Sequence, residues 1–348
     1  MAVTIHDVAR EAGVSLSTVS RVFNNKGNIS NETRERVIAA AAKLGYRPRA
    51  YKKQENTAKK NIGIIFSKRL GSLIQDSFSF YAQVMAGVEE ILIPHNYEIF
   101  FRTISGKAKE DAVIINELTR DERLAGLILA GYDIEPEIIL RIKRSNIPLV
   151  LTDNELVDEN IDCVVNDNVA GARKIVKHLI GLGHRRIAFC GGPLSHNSLN
   201  ERYQGYKQAL KEAGLEQNKQ WVFFCEPSFN IEDGYTAAMR IFTGTSPIPT
   251  AVFAANDPLA IGVMKALKEL GYRIPEEISV AGFDDIPMAE HTAPSLTTVR
   301  IYKNEMGVLA GKRLHELIQG INPKPFKIVM SVDPVLRDST GTLSAINL

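Results

Sequence analysis

The side chains that could recognise another molecule begin with a short run near the start of the chain: Leu16, Ser17, Thr18 and Arg21. A hydroxyl can bond to any base, a leucine offers contact to a thymine methyl, and an arginine favours guanine. If this run is helical, Val19 and Val22 face inward and leave the four side chains free to meet a partner. The spacing therefore predicts a helix that reads double-stranded DNA, with Arg21 as the most informative reader.

Two short capped helices around one tight turn would position these side chains. Thr4 can cap the first helix, with Asp7 in capping-box position three residues on, and Gly13 stops it. Ser15 can cap the second helix. This is the outline of a helix-turn-helix DNA reader.

A third helix is expected from Ser30 to Gly45, where apolar residues recur at helical spacing. An ordinary capped helical bundle is the alternative, since caps occur in every helix, but the spacing of the whole run favours an all-α helix-turn-helix headpiece over residues 1–46. The headpiece residues that we expect to contact DNA are Thr4, Ser15, Leu16, Ser17, Thr18, Arg21, Asn24, Ser30, Thr33 and Tyr46.

Charge is unevenly distributed along the chain. Residues 1–60 hold 12 Lys and Arg against 5 Asp and Glu, a net charge of +7, although the whole chain carries only +2. The basic end should therefore meet phosphates. Residues 47–60 are poor in apolar side chains and are expected to form a linker that orders only on DNA, with Arg49, Lys52 and Lys53 at phosphates or groove edges.

From residue 61 onward, short apolar runs alternate with longer amphipathic stretches, which is the pattern of parallel βαβ units. Four strands are expected in a first lobe, at 61–66, 97–101, 126–130 and 148–152, with helices near 81–92, 110–118 and 137–144. Five more are expected in a second, at 162–166, 186–190, 221–225, 251–255 and 278–282. The pattern predicts an α/β core over 61–348 of two doubly wound parallel-sheet lobes, the first about 61–161 and the second about 162–292.

The three cysteines, Cys163, Cys190 and Cys225, are too few and too scattered for a disulfide framework or a metal site, and each lies in an apolar run. We expect buried, reduced thiols, and neither a metal nor another cofactor.

No leader precedes Thr4, and no apolar stretch approaches the roughly 18 residues that span a bilayer. The expectation is a cytoplasmic protein without a membrane partner.

The sequence contains no recognisable catalytic motif. It has no GxSxG nucleophile elbow, no GxxxxGK[ST] phosphate loop and no HExxH, and the run from Gly191 to Ser195 does not meet the GxGxxG pattern. His184 is expected in a turn between a helix and a strand. We therefore expect a binding protein and not an enzyme.

Ligands of open α/β sheets bind beyond the carboxyl ends of the strands. Polar residues follow the predicted strands there: Asp153, Asn166, Asp167, Asn256, Asp257, Asp284 and Asp285. Asp167 and Asp257 are expected to cap the helices that start after them, which leaves Asn256 and Asp284 as the better ligand candidates, with Asp153 and Asn166 beside them. Aromatic side chains that could cover the cleft are Phe78, Phe80, Tyr81 and Phe283, although a core role is commoner for any one aromatic.

Several segments resemble the lactose/galactose-repressor family of bacterial transcription factors. They are T-I-x-D-V-A-x-x-A-G-V-S-x-x-T-V-S-R-V, S-x-x-T-R-x-R-V and L-G-Y-x-P in the headpiece, and 178–189, 251–267, 274–285 and 295–300 in the core. The resemblance implies a repressor of a carbohydrate-utilisation operon that acts as a homodimer or tetramer. A small sugar-like effector would bind between periplasmic-binding-protein-like lobes and change the affinity for operator DNA.

The resemblance also implies individual roles. Arg202 stands where family members grip the effector with an arginine, on a helix expected to begin near Asn200, and a guanidinium can bond two vicinal hydroxyls. The helix at 81–92 resembles the dimerising helix, with plain lobe core as the alternative. Further crossings between the lobes are implied at 293–298 and near 324–327. In the linker, which the resemblance implies is a hinge, Glu55 stands where the family has a leucine that wedges between base pairs, which predicts weaker DNA bending.

Two other functions fit parts of this sequence. A transporter's solute-binding protein would share the two-lobe core, but it would need a secretion leader and would have no use for residues 4–45. A regulator controlled by a phosphocarrier protein, as in the catabolite-control branch of the family, is the second alternative. A sugar that raises the melting temperature would distinguish the effector hypothesis from it.

Overall fold

The computed structural model describes residues 3–23, 29–44, 46, 59–67, 74–131, 134–225 and 229–343, without the side chains of residues 67 and 74–79. The chain forms two units, Met1–Ala58 and Lys59–Leu348. Each unit has its own cluster of buried apolar side chains.

Three helices form the N-terminal unit: α1 (Ile5–Ala12), α2 (Leu16–Phe23) and α3 (Asn31–Leu44). Gly13 ends α1 in the left-handed conformation, with φ of 61°, and so allows the tight turn into α2. The inward-facing residues predicted from helical spacing form one core: Val8, Ala9, Ala12, Val19, Val22, Val37, Ala40 and Ala41. The predicted all-α headpiece is confirmed over the residues that are described.

A six-stranded parallel sheet forms the first lobe of the second unit, in the order β11-β5-β4-β3-β1-β2. Its strands are β1 (Lys60–Ser67), β2 (Tyr97–Ile104), β3 (Leu124–Ala130), β4 (Leu149–Thr152), β5 (Asp162–Asn166) and β11 (Lys327–Met330). The expectation that 162–166 opens the second lobe is wrong, because β5 pairs with β4 in the first sheet. The run of apolar residues marks a strand but carries no information about its sheet.

Helices cover both faces of this sheet: α4 (Ile74–Leu92), α5 (Ala108–Leu118), α6 (Pro136–Arg144) and α12 (Lys303–Ile318). Ile62 and Ile64 of β1 join one apolar cluster with α4 and α12, whereas Ile65 joins another with α5 and α6. Alternate residues of a strand point to opposite faces, so the buried strand is apolar throughout. The lobe is doubly wound, as predicted.

A four-stranded parallel sheet forms the second lobe, in the order β7-β6-β8-β9. Its strands are β6 (Ile187–Gly191), β7 (Val222–Phe224), β8 (Ala251–Ala254) and β9 (Ser279–Ala281). The surrounding helices are α7 (Asn168–Gly181), α8 (Asn197–Glu212), α9 (Ile231–Gly244), α10 (Asp257–Glu269) and α11 (Pro287–His291). Three-residue 3-10 helices lie at Ile93–His95 and Lys219–Trp221.

The chain passes repeatedly between the lobes. After β9 it runs through β10 (Thr298–Arg300), which pairs antiparallel with β12 (Asp333–Val335), and reaches α12 of the first lobe. The segment after β12 returns to the second lobe, where Ser339 O accepts a hydrogen bond from Val280 N at 2.8 Å. The sheet membership of β11 and the pairing of β10 are consistent with the crossings that the resemblance implied.

The three cysteines and His184 are buried inside the core unit. Cys163, Cys190 and Cys225 are free and buried, as predicted. His184 is buried and its ring nitrogens contact the hydroxyls of Thr250 and Ser279 at 3.1 and 2.9 Å. Within the described ranges, no helix is both long enough and apolar enough to cross a membrane.

Candidate functional site

The predicted DNA-reading face lies on α2. Ser15 Oγ accepts the backbone amide of Thr18 at 3.1 Å and therefore caps the helix, as predicted. Leu16, Ser17 and Arg21 are exposed, and Leu16 leaves 40% of its surface open although it is apolar. An exposed leucine among polar side chains suits a surface that contacts a thymine methyl.

Other predicted headpiece residues support helix ends or the core. Thr4 and Asp7 form the predicted capping box on α1. Ser30 Oγ accepts the amide of Thr33 at 3.3 Å at the start of α3, and the ring of Tyr46 lies 5.9 Å from that of Phe23. The predicted contacts at Asn24, Arg49, Lys52 and Lys53, and the departure at Glu55, lie outside the described residues.

A separate cluster of buried polar groups lies in the core unit, beyond the carboxyl ends of its strands. Asp153 follows β4, and its carboxylate accepts hydrogen bonds from Tyr81 at 3.0 Å and from Ser198 at 3.1 Å. Ser198 belongs to α8 of the second lobe, so this carboxylate links the two lobes. Burial raises the pKa of Asp153 to about 6, although Arg202 and the two hydroxyls oppose the rise.

Arg202 is the centre of the second-lobe part of this cluster. It is only 4% exposed, on α8, which begins at Asn197 and not near Asn200 as expected. Its Nη2 lies 3.0 Å from Asp284 Oδ1, its Nε donates to Asn168 Oδ1 at 3.0 Å, and its Nη1 donates to the carbonyl oxygen of Ala255 at 2.7 Å. A planar guanidinium held from three sides presents its remaining N–H groups in a fixed direction.

Asp284 completes the ion pair from the segment that follows β9. Burial raises the pKa of its carboxyl group, and the charges of Arg202 and Lys303 oppose that rise. Arg202 and Asp284 were both predicted as effector-site residues, and the structure places them in contact.

The helix cap at the start of α10 differs from the prediction. Asn256 caps the helix by accepting the amide of Leu259 at 2.9 Å, and it also donates to Phe229 O at 3.1 Å. Asp257 is instead the first helical residue, fully buried, and accepts hydrogen bonds from Ile286 N and Thr298 Oγ1. The capping assignment to Asp257 is wrong by one residue, whereas Asp167 caps α7 as expected.

The remaining predicted effector residues lie in different environments. Asn166 is buried at the end of β5, and neither polar atom of its side chain has a hydrogen-bond partner within the described residues. Phe283 is fully buried beneath the guanidinium of Arg202, so it supports the arginine and does not offer an open face to a ligand. Tyr81 is buried against Phe66 and Phe80, and the side chain of Phe78 lies outside the described part of the chain.

Sequence reasoning missed three members of this cluster. Ser198 and Asn168 contact predicted residues, and Lys303 reaches the carbonyl oxygens of Asp284 and Asp285. Asn168 follows a predicted strand by two residues, so the rule that selected Asn166 could have found it. Ser198 and Lys303 lie far along the chain from their partners, and no local pattern indicates either contact.

Comparisons with known proteins match both units of the chain. Residues 4–49 match the model of bacterial regulatory proteins, lacI family, and residues 176–340 match a periplasmic binding protein-like domain. The ribose operon repressor of Haemophilus influenzae is 34% identical over 343 residues, which cover 98% of this chain and 99% of the relative.

Two solved structures extend the likeness to the fold. The complex of the transcriptional regulator CelR with cellobiose has a TM-score of 0.73 at 29% identity and covers 97% of this chain and all of its own. The lac repressor dimer bound to operator and the anti-inducer ONPF has a TM-score of 0.70 at 29% identity and covers 99% of this chain and all of its own. A transporter's solute-binding protein would not carry the headpiece that residues 4–49 match. The chain belongs to the lacI family of bacterial regulatory proteins.

Proposed function

We propose that this protein is a sequence-specific transcriptional repressor of a carbohydrate-utilisation operon, and that a small sugar-like effector bound in the core controls its affinity for operator DNA. The observation that carries the proposal is the buried pair of Arg202 and Asp284 at the carboxyl ends of the second-lobe strands. It occurs in a chain whose headpiece presents exposed readers on α2. One unit would read DNA and the other would sense the effector.

The chemistry of the cluster suits a polyol. Arg202 can donate to hydroxyl oxygens, and the carboxylates of Asp284 and Asp153 can accept from hydroxyl groups. Asn166 supplies a buried amide without a partner within the described residues, and such a group is costly to leave unsatisfied. A ligand that carries several hydroxyl groups would satisfy all of them at once. Ribose and cellobiose, named with relatives of this protein, are of this class.

Control of DNA binding follows from the link between the lobes. An effector that contacts Asp153 of the first lobe and Arg202 of the second stabilises one angle between them. We propose that the protein acts as a dimer in the cytoplasm, where its operator lies, so that a change in this angle alters the fit of two headpieces to two half-sites. A coupling free energy of about 1–3 kcal/mol would change operator affinity by roughly 5- to 150-fold.

The assembly surface also belongs to this proposal. Helix α4 packs one face into the core of the first lobe, where Val84, Val88 and Leu92 are buried. Its opposite face carries exposed side chains such as Gln83 and Glu90. A core role on one face leaves the other free for the dimer contact that the family resemblance implies.

The proposal is tested first with the full-length protein and a panel of D-ribose, cellobiose, D-glucose and D-galactose. A sugar that binds the folded state should raise the melting temperature of the wild type. Arg202→Met should abolish the rise, and Arg173→Met, which removes an arginine from the surface of α7, should keep it. If no sugar shifts the wild type but a phosphocarrier protein binds it, the sugar effector is contradicted in favour of the protein-controlled alternative.

The DNA arm uses selection of binding sites from a random pool, with and without the sugar that gives the largest shift. Enrichment of one two-fold symmetric site, changed at least fivefold by the sugar, is the expected result. Binding without sequence enrichment would contradict the assignment as an operator-specific repressor.

A further inference from the structure

Lys303 is a buried cation at the junction between the lobes. It is the first residue of α12, directly after the crossing through β10, and it is only 3% exposed. Its Nζ donates hydrogen bonds to the carbonyl oxygens of Asp284 and, at 3.2 Å, of Asp285. A side chain of a first-lobe helix therefore contacts the backbone of the segment that follows the last second-lobe strand.

Local rules disfavour a lysine at this position. Burial disfavours the charged form and lowers the pKa of Lys303, although the carboxylates of Asp284, Asp257 and Asp285 oppose this shift. The positive end of the α12 dipole also repels a cation in the first turn. Positions that break local rules in a well-packed protein are expected where function requires it.

The two carbonyl groups that Lys303 holds belong to an unusual turn. Asp284 has φ of 113° and Asp285 has φ of 49°, so two successive residues other than glycine adopt the left-handed region. Such a backbone persists only where its surroundings fix it. Asp285 is fixed through its carboxylate by Arg300 at 2.7 Å and by Arg337 at 2.8 Å.

Asp284 has fewer partners. Its amide donates to Val299 O at 2.8 Å, its carboxylate meets Arg202, and its carbonyl oxygen accepts from Lys303. The direction of its carboxylate therefore depends on the ammonium group behind it. If that group were absent, the turn could relax and the Arg202–Asp284 pair would lose its fixed geometry.

Lys303 also reaches an aromatic side chain of the first lobe. Its Nζ lies 5.7 Å from the centre of the Phe80 ring, which in turn packs edge-on against Tyr81 at 4.9 Å. Tyr81 is the donor to Asp153. One ammonium group thus lies between the effector-site residues of the second lobe and those of the first.

We propose that Lys303 is a positioning residue of the effector site, which holds the Asp284–Asp285 turn so that the Asp284 carboxylate is set for the effector and which ties this turn to the Phe80–Tyr81 side of the cleft. The proposal rests on the proposed function for its effector. The positioning of the turn can be measured without any ligand.

The first test compares amide hydrogen exchange of full-length wild type with Lys303→Met, Lys303→Arg and Lys312→Met, the last an exposed lysine on the same helix. Peptides that contain residues 282–286 should exchange at least tenfold faster in Lys303→Met, because the amides of Asp284 and Ile286 are hydrogen-bonded only while the turn is held. Lys303→Arg should restore part of the protection, and peptides from α9 should not change. Unchanged exchange at 282–286 in Lys303→Met would overturn the proposal.

The second test separates positioning from a merely structural role. With the panel sugar that gives the largest wild-type melting shift, Lys303→Met should weaken sugar affinity at least tenfold, and Lys303→Arg should restore part of that loss. A loss of sugar affinity no greater than that of Lys312→Met would overturn the proposal. If no panel sugar binds the wild type, that result contradicts the proposed effector, and the exchange experiment still decides whether Lys303 holds the turn.

Discussion

The guanidinium of Arg202 lies over the ring of Phe283, with Cζ 3.9 Å from the ring centre, while the next residue along the chain, Asp284, forms the ion pair with the same guanidinium. The dipeptide Phe283–Asp284 therefore provides both the aromatic ring that stacks under Arg202 and the carboxylate that neutralises its charge. A buried arginine that is stacked and paired at once has little freedom to move. The arrangement explains why the ring of Phe283 is hidden from the cleft.

Loss of Arg202 should destabilise the core as well as remove effector binding. Arg202→Met leaves the buried carboxylate of Asp284 without its principal partner, and we expect the free energy of unfolding of the core to fall by about 3–5 kcal/mol. Urea denaturation of the full chain, followed by tryptophan fluorescence of the single Trp221, measures this fall.

The double variant Arg202→Met with Asp284→Asn provides the control for this prediction. Because both charges are removed, it should be more stable than Arg202→Met alone. A double variant that is less stable by the sum of the two single effects would show that the residues act independently.

The raised pKa of Asp153 predicts a specific pH dependence of stability. Its pKa is about 6 in the folded protein, against 3.8 for an ordinary aspartate, so the folded state keeps a proton that the unfolded state has lost. The contribution of Asp153 to the free energy of unfolding is therefore fully present below pH 3.8 and falls as the pH rises through 6, by about 3 kcal/mol in total.

This contribution is measured as the difference between wild type and Asp153→Asn in urea titrations at pH 4, 5, 6 and 7. The stability of the wild type relative to the variant should decline across that range. Asp158→Asn, at an exposed position in the following loop, serves as the control and should run parallel to the wild type. A difference between wild type and Asp153→Asn that is constant with pH would contradict the raised pKa.

Arg21 is predicted to carry base specificity. Arg21→Ala should weaken binding to the selected operator by about 1–3 kcal/mol and relax the preference at one base pair, because a bidentate contact to guanine is lost. Competition binding with operators that vary one position at a time tests this. Arg10→Ala, an exposed arginine on α1, removes the same charge and should weaken specific and random DNA alike. Equal losses on both kinds of DNA for Arg21→Ala would refute its role as a reader.

The close packing of α4 against α12 predicts strong intolerance of a methyl group. A Cβ at Gly307 would lie 1.9 Å from the carbonyl oxygen of Val84, and one at Gly87 would lie 2.0 Å from that of Asn304. Backbone atoms cannot give way cheaply, so Gly307→Ala should lower the free energy of unfolding by about 1–3 kcal/mol or more.

A second glycine supplies the comparison. Gly181, at the end of α7, has open space where a Cβ would lie: apart from its chain neighbours and the backbone of its own helix, no described atom lies within 4 Å of that position. Gly181→Ala should therefore stabilise the core by about 0.4–1 kcal/mol in the same denaturation experiment. Equal stability of Gly307→Ala and wild type would contradict the close approach of the two helices.

Much of the architecture was accessible from the sequence because it depends on neighbours along the chain. Thr4, Ser15 and Ser30 stand three residues before the amides that they cap, and apolar residues at helical spacing identify Val19, Val22 and Val37 as core. Arg202 and Asp284 were selected by resemblance and by their positions relative to predicted strands. Local periodicity and motif spacing carry this information directly.

Other features required the tertiary structure because they depend on contacts between distant segments. Strand β5 has the apolar pattern of either lobe, and only its pairing with β4 assigns it to the first sheet. Asn256 and Asp257 are both good caps, and the choice between them depends on Thr298 and Ile286, which hold the Asp257 carboxylate. In the sequence, Lys303 is an ordinary lysine at the start of a helix. Only the structure shows that its ammonium group donates to the carbonyl oxygens of the Asp284–Asp285 turn. The sequence by itself thus determined the family, the helix caps of the headpiece and most of the core. The folded chain decided which polar groups share one buried site, since burial and long-range hydrogen bonds have no local signature.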